Sequence, residues 1–244
     1  MLSEPVKEAF GSFKRLTLKY AYFSALSSIF CALSILAALG FVILLFFLFS
    51  IFNYPILSLP GFITLVIIGL AMLWFISGIQ GATIKQYGNL LSGKNSNLGS
   101  GFVEFLTYAS DNASEFFLVS LVRLIITAIP VVLLYFIYTF LLQYNVPYID
   151  WIFAIFVLGT VFFVYFLFFP VFISMAIYET GIGAAFKNAA KVFYRAHVKA
   201  LVLYFVHAFV WVLNLIPIIQ LVTVLFVYPI TSAMLIGLFK RAAR

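Results

Sequence analysis

Long apolar runs separated by short polar interruptions dominate the chain. They cover about 21–52 (AYFSALSSIFCALSILAALGFVILLFFLFSIF), 60–83, 116–142, 151–177, 198–215 and 219–239. Most of these runs reach or exceed the ~20 residues that a helix needs to cross the hydrocarbon of a bilayer. The runs are continuous, without the period-two alternation of a transmembrane barrel strand. The pattern therefore predicts an all-α integral membrane bundle of six transmembrane helices, in one domain over 1–244. The first run is longer than a bilayer requires, so it should tilt or extend beyond it. Asn53-Tyr54-Pro55 with Leu59-Pro60-Gly61, then QYNVPYID, then the region of Pro217 supply tight turns. GNLLSGKNSNLGSG reads as a loop. Asn112, three residues before Glu115, predicts a capping box at the start of the third span.

Composition fixes the solvent. The chain of 244 residues is 66% hydrophobic and 9% charged, with a mean hydropathy of +1.21. A soluble chain is about a quarter charged. So much apolar surface cannot be hidden in a soluble globule of this length, and lipid must cover it. Cys31 is the one cysteine, so no internal disulfide and no cysteine cage for a metal is expected. The first twenty residues mix Glu4, Lys7, Glu8, Lys14, Arg15 and Lys19, and the run after them is too long for the core of a cleavable signal.

Charge gives the orientation. If the N-terminus is inside, every one of the 14 basic residues except Arg123 falls in an inside segment. The three outside turns hold no Lys or Arg, only Asp150. The positive-inside rule then predicts a protein of the cell membrane with both termini cytoplasmic. Such short outside turns exclude a receptor with an extracellular ligand domain.

One inside segment is unusually basic. ETGIGAAFKNAAKVFYRAHVKALVL (179–203) holds Lys187, Lys191, Arg195 and Lys199, with His197. Lys187, Lys191 and Arg195 recur every fourth residue and share a helical face. Phe186, Ala189, Ala190 and Phe193 occupy another. The pattern predicts an interfacial amphipathic helix, basic side to the headgroups and apolar side inward. The N-terminal segment EPVKEAFGSFKRLTLKYAYFSAL resembles it, with Ala9-Phe10 on Ala185-Phe186, Arg15 on Lys191 and Lys19 on Arg195. LGSGFVEFLTYASDNASEFFLVSLV is a weaker third copy in which Glu104, Asp111 and Glu115 replace the basic residues. A threefold repeat of inside helix plus transmembrane hairpin follows. Arg15, Lys19, Lys187, Lys191, Arg195 and Lys199 are thus candidates for orientation anchors, for binding a headgroup or other polyanion, or for contact with a partner. The pairs Gly181/Gly183 and Gly99/Gly101 lack the third glycine and preceding strand of a dinucleotide fingerprint.

PVFISMAIYETGIGAAFKNAAKVFYRAHVKAL resembles the recurring segment of the YciC-like inner-membrane family and the membrane domain attached to some glycerophosphodiester phosphodiesterases. Pro170, Glu179, Gly181, Ala185, Lys187 and Lys191 keep the order of that segment; the first half of the chain is similar only in layout. The resemblance implies a six-span bundle with no catalytic centre of its own.

A few polar residues fall within the spans. Arg123 lies about two turns into the third, where a charge costs roughly 2.5–3.5 kcal/mol unless it finds a partner or the interface. It should snorkel toward Glu115 or Asp111, or else join a polar path with Glu179. His207 and Asn214, seven apart, share a face of the fifth span, and suit interhelical hydrogen bonds or a proton or substrate path. Pro130, Pro170 and Pro229 should kink their helices. No span holds an Asp or Glu, which weighs against a proton-coupled secondary transporter. No paired carboxylates, His-x-x-x-His, nucleophile elbow or P-loop appears, so neither an enzyme nor a cofactor is expected. The function these features suit best is the membrane component, channel-like or docking, of a multi-subunit transport or translocation system. Its partners would be lipids, other membrane subunits and a cytoplasmic ATPase, and its cargo a polyanion such as DNA. A lipid-interacting structural or assembly factor and an autonomous transporter are the alternatives.

Overall fold

The computed structural model describes residues 3–51, 59–94, 97–144, 146–213 and 217–243. Among them there is no strand. The helices are α1 (Ser3–Ile51), α2 (Leu59–Leu91), α3 (Leu98–Asp111), α4 (Ala113–Leu142), α5 (Ile149–Tyr178), α6 (Ile182–Leu213), α7 (Pro217–Val222) and α8 (Tyr228–Ala243), with a π-helical segment Thr223–Val227 between the last two. Five stretches are long and apolar enough to cross a membrane: Glu4–Phe47, Pro60–Leu91, Ala113–Leu142, Ile149–Tyr178 and Ile219–Ala242. The stretch expected at 198–215 appears as a shorter apolar helix, Val198–Val210, within α6. Residues 214–216 and most of the first turn lie outside the described residues.

Several boundaries differ from expectation. α2 runs on through Gly88-Asn89-Leu90-Leu91, and α3 already begins at Leu98, so the polar loop shrinks to 92–97. Local polarity does not end a helix whose other face is buried, as Tyr87 and Leu90 are. The capping box is not formed. Asn112 precedes α4, but its side chain donates backward to the Tyr108 carbonyl at 3.1 Å. The prolines do not break the helices either: α4 and α5 continue through Pro130 and Pro170. Pro229 follows the π-helical segment, whose wider turn accommodates a residue that cannot donate a backbone hydrogen bond.

The interior breaks fall elsewhere. α1 leaves helical geometry at Leu16 (φ −126°, ψ 25°) and α6 at Ala196 (φ −138°, ψ 24°), while Asn112 (φ −104°, ψ 1°) separates α3 from α4. Aligning the segments on these breaks gives a pairing one helical turn away from that by the Ala-Phe pairs. Arg15 then falls on Arg195 rather than Lys191, and Lys19 on Lys199 rather than Arg195. Phe13 falls on Phe193. Asp111 and Glu115 take the same two places in the middle segment. Burial follows the new register. Ala9, Phe105 and Ala189 are buried, and so are Tyr20, Phe116 and Ala200, Phe23, Val119 and Leu203, and Ser24, Ser120 and Tyr204.

The long helices form a ring in which α1 packs on α2, α2 on α4, α4 on α5, α5 on α6, α6 on α8, and α8 on α1. α2 also touches α5 and α8. Small residues permit the close approaches. A Cβ added at Gly78 would lie 2.5 Å from the Ala109 carbonyl oxygen, and one at Gly81 2.4 Å from the Phe116 ring. The core is gathered at one end of the bundle, where residues 9–24, 77–91, 105–120 and 164–176 supply most of it. The opposite halves of α1, α4 and α5 carry exposed apolar side chains such as Ile43, Phe47, Phe136 and Phe156. Length, composition and this surface fit a membrane helical bundle.

The Gly78 contact is with backbone, which cannot move aside as a side-chain tip can. Gly78→Leu should therefore lower stability by about 1–3 kcal/mol, whereas Gly69→Leu, with nothing within 4 Å of its added Cβ, should leave it nearly unchanged. Thermal melting of the purified variants in detergent compares the two.

Candidate functional site

Two places concentrate polar chemistry: the charged ends of the helices and a small cavity within the bundle. At the first, charge is partly structural. Arg241 pairs with Glu4 and with Glu8 (2.8 Å), tying the end of α8 to the start of α1. Lys240 donates to the Gly88 carbonyl at 3.0 Å, and Arg195 to the Ala242 carbonyl at 3.3 Å. Each cation thus reaches a carbonyl in the last turn of a neighbouring helix, where the helix dipole favours positive charge. Arg15 bonds the Gly11 carbonyl within its own helix at 3.3 Å. Lys19 and Lys199 are half-buried, whereas Lys187 and Lys191 are exposed.

Part of the apolar face of the basic helix packs on protein, while Phe186 and Ala190 stay exposed. Ala185, Ala189, Val192, Ala196 and Ala200 are buried. Phe186 meets Phe168 edge-on at 5.7 Å, and Phe193 meets Phe166 at 5.1 Å. The seam of alanines lets α6 lie close against α5 and α8.

Glu179 ends α5 in the left-handed region (φ 51°), a conformation more usual for glycine. Its carboxylate accepts a hydrogen bond from Lys85, which also stands over the Tyr108 ring. That bond and the Lys85 charge hold the Glu179 carboxyl below its ordinary range. Glu179 is therefore committed to Lys85 and is not the partner of Arg123.

Arg123 faces the bundle. Its guanidinium lies 5.1 Å from the Tyr165 ring centre and 5.2 Å from that of Phe172, a cation–π arrangement. Among the described residues no carboxylate pairs with it, so neither Glu115 nor Asp111 draws it to the surface. With Ser27, Gln80, Tyr87, Tyr228 and Ser232 it lines a cavity of about 30 Å³. Ser27, Arg123 and His207 each stand eleven residues after one of the breaks at Leu16, Asn112 and Ala196. His207 abuts the same chamber through Phe169 and Tyr228, whose ring centres lie 5.4 and 4.8 Å from its own.

The hydrogen bonds define the His207 tautomer. The Thr231 hydroxyl donates to the Tyr228 carbonyl at 3.0 Å, so it accepts from His207 Nδ1 at 2.9 Å. This bond joins α6 to α8. His207 Nε2 is buried without a partner, as are the Tyr87 and Ser232 hydroxyls. Asn214, expected to share the His207 face, and the side chain of His197 lie outside the described residues. Pro170 is buried at the α6 seam and Pro229 beside Tyr228, while Pro130 is half-buried on α4.

No protein-family model, curated protein or solved structure matches this chain. Among the described residues no cluster of His, Cys, Asp and Glu could hold a metal ion. The residues sequence reasoning missed are the tyrosines. Tyr87, Tyr165 and Tyr228 are indistinguishable in the sequence from the aromatic residues that face lipid, and only helix packing turns them toward Arg123.

The Glu179 carboxyl is held low in the folded protein, so its pairing stabilises above the ordinary carboxylate range and the gain is lost as pH falls through the folded value. Glu179 is largely exposed, which limits the pair to under about 1 kcal/mol. Lys85→Met should melt slightly below wild type at neutral pH, and the difference should close on acidification. Melting curves of both proteins across that range check it.

Proposed function

We propose that this chain is a non-enzymatic, six-span protein of the cell membrane with both termini inside. It serves as the membrane component of a multi-subunit transport or translocation apparatus. Its inner face docks other subunits, an ATPase among them, or a polyanionic cargo such as DNA. Three features support the topology. The basic residues cluster on one side. Arg241 pairs with Glu4 and Glu8, and termini that touch lie on the same side and require an even number of crossings. With five longer stretches crossing, Val198–Val210 supplies the sixth. In this reading the chain is three hairpins, each entered through an inside helix that breaks at Leu16, Asn112 or Ala196. The resemblance to the YciC-like layout agrees with it.

The observation that carries the docking role is the charge pattern of the inner face. Lys14, Arg15, Lys187, Lys191 and Arg195 are exposed on the two flanking segments, while Glu104, Asp111 and Glu115 are exposed on the middle one. Orientation alone calls for basic residues and leaves an acidic sector between two basic ones unexplained. A surface with separate basic and acidic sectors fits a partner that must seat in one rotational register. The lipid-interacting alternative draws on two apolar grooves open to hydrocarbon. One, of about 600 Å³, lies between α1 and α2, and one of about 430 Å³ lies between α5 and α6.

Lys187→Gln with Lys191→Gln is the clean test, because Arg195 also holds the Ala242 carbonyl. The double variant should insert and melt like wild type yet lose co-purifying subunits or cargo several-fold. Unchanged co-purification would reduce these residues to orientation anchors.

A further inference from the structure

We propose that the cavity at the centre of the bundle binds a single small monovalent anion, of halide size, against Arg123. The inference rests on half-buried Arg123, turned toward the rings of α5, and not on the docking role of the inner face.

The first argument is charge. All seven carboxylates of the chain are among the described residues, and none of the ion pairs includes Arg123. Tyr165 and Phe172 offer it only their ring faces. Rings soften the loss of water but leave the net charge in place. An uncompensated cation within a span is costly, and an anion from solution would neutralise it on its cavity side.

The second argument is hydrogen bonding. The Tyr87 and Ser232 hydroxyls line the cavity, are almost wholly buried, and make no hydrogen bond of good geometry. The groups nearest them are other hydroxyls, Ser24 beside Tyr87 and Tyr228 beside Ser232, which are weaker acceptors than an anion. Unmet buried hydroxyls each carry a desolvation cost that a bound acceptor removes. A guanidinium and two hydroxyls converging on one space form an anion site, and the same donors repel a cation.

Size selects among anions. About 30 Å³ holds roughly two waters or one halide. A phosphate ester with its lipid tail does not fit, which separates this site from headgroup binding at the inner face. Chloride is the abundant ion of this class. Arg123 is the one charged side chain that lines the cavity among the described residues; Ser27 comes from α1, and His207 of α6 stands behind Phe169 and Tyr228. One cation calls for one monovalent anion.

The test uses the full chain in nanodiscs of phosphatidylcholine, with sodium chloride replacing sodium gluconate at constant ionic strength and melting followed by tryptophan fluorescence. Chloride and bromide should raise the melting temperature saturably, and sulfate should not. Arg123→Gln should lose the response and, in gluconate, melt no lower than wild type, because it removes a charge that lacks its counterion. Tyr87→Phe keeps the ring and should shift half-saturation roughly tenfold higher, as loss of one charge-assisted hydrogen bond implies. If Arg123→Gln does not fold, Tyr87→Phe and Ser232→Ala carry the test. The proposal is overturned if wild type shows no anion response, if sulfate matches chloride, or if the variants respond as wild type does.

Discussion

Hydrocarbon offers no hydrogen-bond partner, and this chain is arranged around that constraint. Every amide in a membrane span must be satisfied within the chain, which accounts for helices as long as Ser3–Ile51. Polar side chains in the spans obey the same rule. Ser34, Thr64, Ser77, Thr127 and Thr160 return their hydroxyls to the carbonyl one turn back. Departures from α geometry are compensated locally. The π-helical segment before Pro229 gives its Val224 carbonyl to Ser24, and the breaks at Leu16, Asn112 and Ala196 lie at the charged end of the bundle, where water is at hand.

The same constraint separates the two ends of the molecule. Where the helices must hold one another, the interface is built of small residues and aromatic rings, with glycines on α2 and alanines on α6 bringing backbones close. Phe116 stacks on Phe172 at 5.7 Å, and Tyr204 meets Phe166 at a tilt at 4.8 Å. Toward the other end the helices face lipid, and tight packing against one another is not required, because lipid tails are as apolar as the side chains themselves. The polar cavity sits on the packed side of this division, where its donors are shielded from lipid.

Fold class was legible in the sequence because hydrophobicity and length decide it directly. The likeness of the basic and acidic segments is legible in the sequence, but the places where their helices break are not. Alignment by Ala-Phe pairs is a statement about composition, whereas the break geometry shared by Leu16 and Ala196 depends on which residue each helix can bury. Pro130 and Pro170 do not interrupt their helices, which run on through the missing backbone bond. The partner of Arg123 was also misread. Sequence distance favoured Glu115, two turns away on the same helix, but the space that accepts the guanidinium lies between α4 and α5, where Tyr165 and Phe172 meet it. Glu179 was unavailable because α2 brings Lys85 beside it.

The central claim is a six-span bundle with both ends on the inner side, and side-specific labelling tests it most directly. Cys31 is the one cysteine, so in a Cys31→Ser background single cysteines can be placed at Lys7, Tyr148 and Lys187 and appended after Arg244. A membrane-impermeant maleimide applied to intact cells should label only the cysteine at Tyr148, and the other three only after permeabilisation. Labelling of the appended cysteine in intact cells, with that at Lys7 protected, would contradict the account.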